Sequence, residues 1–409
     1  MTQQTTDPRP APASVGKVLP VLFSFFIMGF VAIVGAATHE IKGTLHLSST
    51  VAGLLPNFIF IWFLICSVPA GLLMRRIGRK TMVLVSYTIT LVGMFVPLPM
   101  ILGAMETNLG VYVVTFALLG IGNAIIQVAL NPLLTNVINK DRLPTFIALG
   151  QTVKAISALL GPQIILFCAW SLGNWNWTFT VYAALTLIAM LWLSLTQIPR
   201  EERATGRGVS FGDTFSLLRD PFLLRMFVCI LLIVGIDIGM NFFIPEIFSS
   251  VYGYRKPGNM ITVYYICRAI SSLVCAMLLL RIPPRKIWPW IMAASIAACT
   301  VMMILSTMPT AAIGPQVLFI AMFLPVSFAA ANVFAIIFSL AIAHRPEKTD
   351  QIASLLVMGL AGGGIMTLVI GAMNDAMGLT GGFIALLACM AFIFFVSLSE
   401  ARKEPKKLR

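Results

Sequence analysis

The chain has 409 residues, of which 59% are hydrophobic and only 11% charged. Soluble domains are about 45–50% apolar and about 25% charged, so no soluble fold could cover this surface, and lipid must solvate most of the chain. The net charge of +13 would suit nucleic acid, but the cations stand in short clusters between apolar runs rather than on a basic binding domain, which argues against that partner.

Residues 1–17 form a polar, Pro-rich tail. The apolar run behind it is too long for a signal-peptide core and lacks a clear cleavage site, so it reads as a retained first span. Apolar runs then recur along the chain and predict helical spans at 18–38, 51–74, 81–103, 110–137, 145–170, 177–197, 222–248, 259–281, 287–308, 315–342, 351–373 and 379–399. Spanning strands would need only about 10 residues of alternating polarity, whereas these runs are continuous and rich in Leu, Ile, Ala and Met. The fold class expected is therefore an all-α membrane protein of about twelve transmembrane helices.

The longest polar stretch, 199–221, divides the chain into two six-helix bundles, 18–198 and 222–399, and residues 400–409 form a basic tail. An even number of spans puts both ends on one side. Of the 28 Lys and Arg, two (Lys154, Arg268) lie within spans, and three (Lys42, Arg255, Lys256) lie outside if the ends are cytoplasmic, which leaves 23 inside. That bias sets both termini in the cytoplasm of a bacterial inner membrane. Trp170, Trp175 and Trp177 are expected at the outer interface and Trp288 and Trp290 at the inner one, where amphipathic rings prefer to sit. His39 and Glu40, ending the first span, and Asp375 read as solvated ends.

The seven cysteines fall inside apolar runs without metal spacing, and the three histidines lie at or beyond span ends. Neither a metal centre nor a nucleophile–base set is therefore expected at membrane depth, so the chain reads as no enzyme and needs no cofactor. The two halves look related. Ala70-Gly-Leu-Leu-Met-Arg-Arg-Ile-Gly-Arg-Lys80 ends the second span and Ala276-Met-Leu-Leu-Leu-Arg-Ile-Pro-Pro-Arg-Lys286 the eighth, an equivalent place in each half.

Charged groups at membrane depth are costly and so are candidate functional groups. Lys154, Asp237 and Arg268 all fall in the middle third of their spans. Two readings of Asp237 and Arg268 stand side by side: a structural ion pair between neighbouring helices, or a carboxylate that changes partners or protonation during a cycle. Lys154 has three: a cation- or proton-responsive switch, a partner with Arg268 for a substrate carboxylate, or a salt bridge to Asp237. Asn123, Gln127 and Asn131 recur every four residues and so share one face of the fourth span. Gln151 with Lys154 and Ser157, and Asp237 with Asn241, make similar faces. Amides facing an aqueous cavity suit sugar hydroxyls, and the competing reading is helix–helix glue. The Gly362–Gly364 run reads more safely as close packing than as a bend.

Gly71-Leu-Leu-Met-Arg-Arg-Ile-Gly-Arg-Lys80 resembles the loop motif between the second and third spans of the major facilitator superfamily, with Arg75 where an acidic residue is usual. That departure, with Gly120–Pro132, Leu149–Lys154 and the segment from Ile337 through Gly364, resembles the fucose:proton symporter family, which includes glucose/galactose and N-acetylglucosamine porters. The resemblance implies two pseudo-symmetric six-helix bundles and inward movement of a sugar with a cation, H+ rather than Na+ in most members. Gly71, Arg75, Gly78, Arg79 and Lys80 would then form a conformational and topological loop that fixes orientation and locks helix ends. The family's coupling acids fall near Gly35 and at Gln127, and a substrate-lining Asn falls at Lys154, so coupling cannot simply be copied.

The expected function is cation-coupled import of a monosaccharide or sugar derivative by alternating access, by a monomer embedded in the bilayer. Its cavity would be lined by spans one, four, five, seven, eight and ten. The expected binding residues are Asn123, Gln127, Asn131, Gln151, Lys154, Asn241 and Arg268, with Asp237 and Lys154 for coupling. A sugar-acid or organic-anion symporter is the first alternative, and a drug or metabolite exporter the second.

Overall fold

The computed structural model describes all residues except 1–14, 48, 200–209, 255–257, 308–312 and 403–409. The N-terminal tail up to residue 14, Arg255 and Lys256, the middle of the linker and most of the basic C-terminal tail lie outside the described residues. Among the described residues, twelve helices are long and apolar enough to cross a membrane: Gly16–Leu45 (α1), Phe58–Ile77 (α2), Arg79–Ile101 (α3), Leu109–Leu134 (α4), Leu143–Ser171 (α5), Trp177–Leu195 (α6), Pro221–Ser250 (α7), Asn259–Leu279 (α8), Pro284–Ser306 (α9), Ile313–His344 (α10), Pro346–Met377 (α11) and Leu379–Ala401 (α12). Helices suit this environment because each satisfies its own backbone hydrogen bonds. We call the membrane face where α1 begins and α12 ends the terminal face, and its opposite the far face.

Each expected span falls on one helix, but α1 runs past its expected end. Glu40 and Lys42 lie within its final turns, and the helix closes only at His46, whose φ of 51° is left-handed and turns the chain. A short Ser210-capped helix, Phe211–Ser216, leads from the linker into α7 along the terminal face. The expected tryptophan belts hold only in part. Trp170 is 88% exposed and Trp290 78%, but Trp288 is fully buried and Trp175 is stacked against Tyr112 inside the first half. Sequence position near a span end does not say which side of the helix a ring occupies.

Two helices are interrupted by a tight three-ten turn, α1 at Gly29–Ala32 and α11 at Gly359–Ala361. Such breaks free backbone groups, and they persist at membrane depth only where protein or a polar cavity satisfies them. Here Asn123 of α4 donates a hydrogen bond of 2.8 Å to the Met28 carbonyl beside the first break. Gly29 lets α1 close on α5, since a Cβ there would sit 2.6 Å from the Ser157 Cβ and 2.7 Å from the Lys154 carbonyl. That contact fixes the height of Lys154 against the break.

The glycine run after the second break is a packing device, as expected. A Cβ on Gly362 would lie 2.2 Å from the Leu231 carbonyl of α7, and one on Gly363 would lie 2.6 Å from the Phe60 ring of α2. Backbone cannot yield as a flexible side chain can. Gly362→Val is therefore expected to cost at least the upper end of the roughly 1–3 kcal/mol typical of overpacking. The thermal midpoint of the purified protein should fall accordingly. Gly371→Ala, whose Cβ would meet nothing within 4 Å, serves as the control and should leave the midpoint unchanged or raise it.

Candidate functional site

Between the two halves lies a cavity of about 920 Å³, near the upper end of the roughly 300–1,000 Å³ typical of small-molecule sites. Its polar wall comes from both halves: Gln127, Gln151 and Lys154 from the first, and Asp237, Asn241, Thr262, Tyr265, Arg268 and Thr367 from the second. Phe60, Phe63 and Phe334 supply aromatic surface. The lining runs from mid-membrane to Gly258 and Ile261 at the far-face end of α8, and Gly35, open to solvent, lies on the same side. Helices α2 and α11 contribute as well, which corrects the expected set of six lining helices. Both approach because Gly71 seats α2 against Ser354 and Gly363 seats α11 against Phe60.

The charged groups are arranged unequally. Arg268 of α8 forms an ion pair with Asp237 of α7, the Arg268 side chain 15% and the Asp237 side chain 10% exposed. The Tyr264 hydroxyl donates to the other oxygen of Asp237 at 3.4 Å, and Asn241 donates back to the Asp237 carbonyl at 2.8 Å. Lys154 faces them from α5, across the boundary between the halves. It has no ion-pair or hydrogen-bond partner among the described residues, so the expected alternative of a salt bridge to Asp237 is not formed. Three charges with one carboxylate leave the wall with a net positive charge whenever Lys154 is protonated.

The amide stripe on α4 divides. Gln127 reaches the cavity wall and donates to Asn123 at 2.8 Å, whereas Asn123 is spent on the α1 break and does not line the cavity. Asn131 does not line it either. It is 1% exposed and neither of its amide atoms has a partner among the described residues. The reason is depth: Asn131 lies one turn beyond Gln127 toward the terminal face, below the cavity floor. Ser157 is likewise buried under Gly29, away from the cavity. Tyr264 and Tyr265 were missed, although Tyr264 precedes Arg268 by four residues and so shares its helix face.

The loop residues build that floor. Gly78, with φ of 91°, makes the break between α2 and α3 that a Cβ would strain. Arg79 then points inward and donates to Asp350 of α11 at 2.9 Å, to the Pro132 carbonyl at 3.2 Å, to Thr135 at 2.8 Å and to Asn136 at 2.7 Å. Lys80 donates to the Ser194 and Thr196 carbonyls at the end of α6, both at 2.8 Å. Arg75 stands with Arg79 beside the Pro346–Gln351 segment that opens α11. A second cluster ties α7 to α10, where Asp220 meets His344 at 3.0 Å and Arg345 at 2.8 Å. Burial opposes ionisation of Asp220, but hydrogen bonds from His344, the Phe222 N–H and Arg345, with the charge of His344, hold its carboxyl below its ordinary range.

The cavity is therefore closed toward the terminal face and extends toward the far face. The family profile described as Major Facilitator Superfamily matches residues 19–367. Among curated proteins, a glucose/galactose transporter of Brucella abortus is 22% identical over 393 residues, covering 91% of each chain. The L-fucose-proton symporter of Escherichia coli is 24% identical over 362 residues, covering 80% of this chain and 79% of that one. Among solved structures, the transporter FucP in its outward conformation superposes with a TM-score of 0.79 at 20% identity, covering 94% of this chain and 98% of that one. The human organic anion transporter MFSD10 superposes with a TM-score of 0.74 at 15% identity, covering 93% and 99%.

Proposed function

The chain belongs to the Major Facilitator Superfamily, and from that premise we propose that it imports a monosaccharide or sugar derivative with a cation by alternating access. The observation that carries this reading is the cavity wall, where amides and hydroxyls from both halves face one mid-membrane space. Such groups match sugar hydroxyls, and the aromatic faces of Phe60, Phe63 and Phe334 suit the apolar faces of a sugar ring. Relatives that move glucose, galactose or fucose support the substrate class. The bias of basic residues supports an inner-membrane setting with both termini in the cytoplasm, which makes the far face the outside.

Coupling is assigned to Asp237, with Lys154 across the cavity from it. By the family resemblance the coupling acids would fall near Gly35 and at Gln127, and neither residue can take up a proton. A carboxylate held by Arg268 and Tyr264 can exchange those partners for a proton when the halves rock, and a proton is the coupling ion proposed. Reconstituted vesicles test this directly. Uptake of labelled glucose, galactose, fucose, N-acetylglucosamine and the matching sugar acids should rise several-fold under an inward proton gradient and collapse with a protonophore. A sodium gradient that drives uptake alone would reassign the ion. Flux that ignores every gradient, or gradient-driven efflux, would overturn the import reading.

A further inference from the structure

The most unusual group on the cavity wall is Lys154. Its side chain lies between the two halves and faces a space shared with Asp237 and Arg268, yet Asp237, the only carboxylate among the described lining residues, is already held by Arg268 and Tyr264. An ammonium facing an open aqueous cavity keeps its water, so this arrangement is stable while the far-face mouth is open. Alternating access changes that. As the halves close around a substrate, the cavity dries and an unpaired ammonium loses its hydration, which is costly unless an opposite charge arrives or the amine gives up its proton. Asp237 can offer itself only by abandoning Arg268, which would leave the guanidinium unpaired instead. With Lys154 protonated, the wall is therefore one negative charge short of neutrality in the closed state.

We propose that the substrate supplies that charge: the cavity binds a monoanionic sugar, such as a uronic acid, with its carboxylate on Lys154. This rests on the sugar-transport reading and narrows it. The α1 break lines the same cavity as Lys154, whose backbone carbonyl packs on Gly29. Gln151, one turn earlier on α5, and Gln127 on α4 line the same side of the cavity. Their amides stand within reach of ring hydroxyls, while Phe60 of α2 and Phe334 of α10 add an aromatic surface from each half. Charge selects the substrate class, and the amides select a polyhydroxylated ring over a simple carboxylate.

The test uses the purified full-length protein in detergent, with thermal midpoint and affinity as readouts, since a ligand that binds the folded state raises the midpoint. The probes are glucose and galactose, the matching glucuronate and galacturonate, and lactate as a carboxylate without a ring. The uronates should raise the midpoint, with the neutral sugars binding at least about 30-fold more weakly. Lys154→Gln should abolish the uronate response and Lys154→Arg should retain it, with both variants keeping the wild-type midpoint without ligand to show that they fold. Stabilisation by neutral sugars alone, or a uronate affinity unchanged in Lys154→Gln, overturns this inference while leaving sugar transport standing. Lactate binding as tightly as the uronates keeps the charge assignment and overturns the sugar reading. No response to any probe overturns both.

Discussion

Replacing Arg268 by Ala is expected to reduce gradient-driven uptake by at least about 100-fold and to lower the thermal midpoint together with it. The pair with Asp237 sits at mid-membrane, both side chains largely buried. Removing one partner of a buried pair costs about 3–5 kcal/mol, because the other charge stays behind without compensation. At about 1.4 kcal/mol per factor of ten, that is more than a 100-fold change in any equilibrium that depends on it. The informative variant is the neutral double replacement, Asp237→Asn with Arg268→Gln. It removes both charges and keeps amides that can hydrogen-bond across α7 and α8. A pair that only holds two helices together would be replaced with little loss, and uptake would recover along with stability. A coupling carboxylate would not be. We expect a midpoint near wild type with uphill uptake still abolished, while downhill exchange of substrate persists. Recovery of uphill uptake in the double variant would return the pair to a structural role.

Much of this molecule could be read from its residues because the bilayer imposes strong rules. The length and continuity of the apolar runs allowed little but twelve helices. Lys154, Asp237 and Arg268 stood out because charge at membrane depth is expensive. Helical periodicity was weaker evidence. It put Asn123, Gln127 and Asn131 on one face of α4, yet only Gln127 reaches the cavity. A helix face 12 Å long meets different surroundings along its length: a break in α1 at Asn123, open space at Gln127, a sealed floor at Asn131. Which surroundings apply depends on how the two halves are tilted, and tilt is not a local property of sequence. The same holds for Trp288, buried although it neighbours a span end. The break at Gly29–Ala32 escaped notice because no proline marks it. Its trace in the sequence is a glycine in α1 opposite Ser157 of α5, a pair separated by most of the first half.

The second large effect is expected at the floor, from Asp350→Asn. Among the acceptors around Arg79, the Pro132 carbonyl, Thr135 and Asn136 belong to the first half like Arg79 itself. Asp350 comes from the second half, so its carboxylate ties the two halves across the boundary. Neutralising it leaves the guanidinium anchored to Pro132, Thr135 and Asn136 in its own half and weakens the attraction between halves. Charge-assisted hydrogen bonds contribute about 1.5–3 kcal/mol each, and partial exposure at the terminal face favours the lower end, so the closed floor should lose roughly tenfold in population. Gly71 limits the alternatives, because α2 packs so closely on Ser354 that the floor either seats fully or separates. The far-face mouth should close as the floor opens. A cysteine at Thr262, exposed on the α8 wall, reports this when Cys66 and Cys267, the partly accessible native thiols, are replaced. Its labelling by a membrane-impermeant maleimide should slow by about the same factor in Asp350→Asn. Arg79→Ala should slow it too, but with a lower midpoint, since it also strips the ends of α4 of their donor. Equal labelling in Asp350→Asn and its parent would mean that packing at Gly71, rather than charge, holds the floor shut.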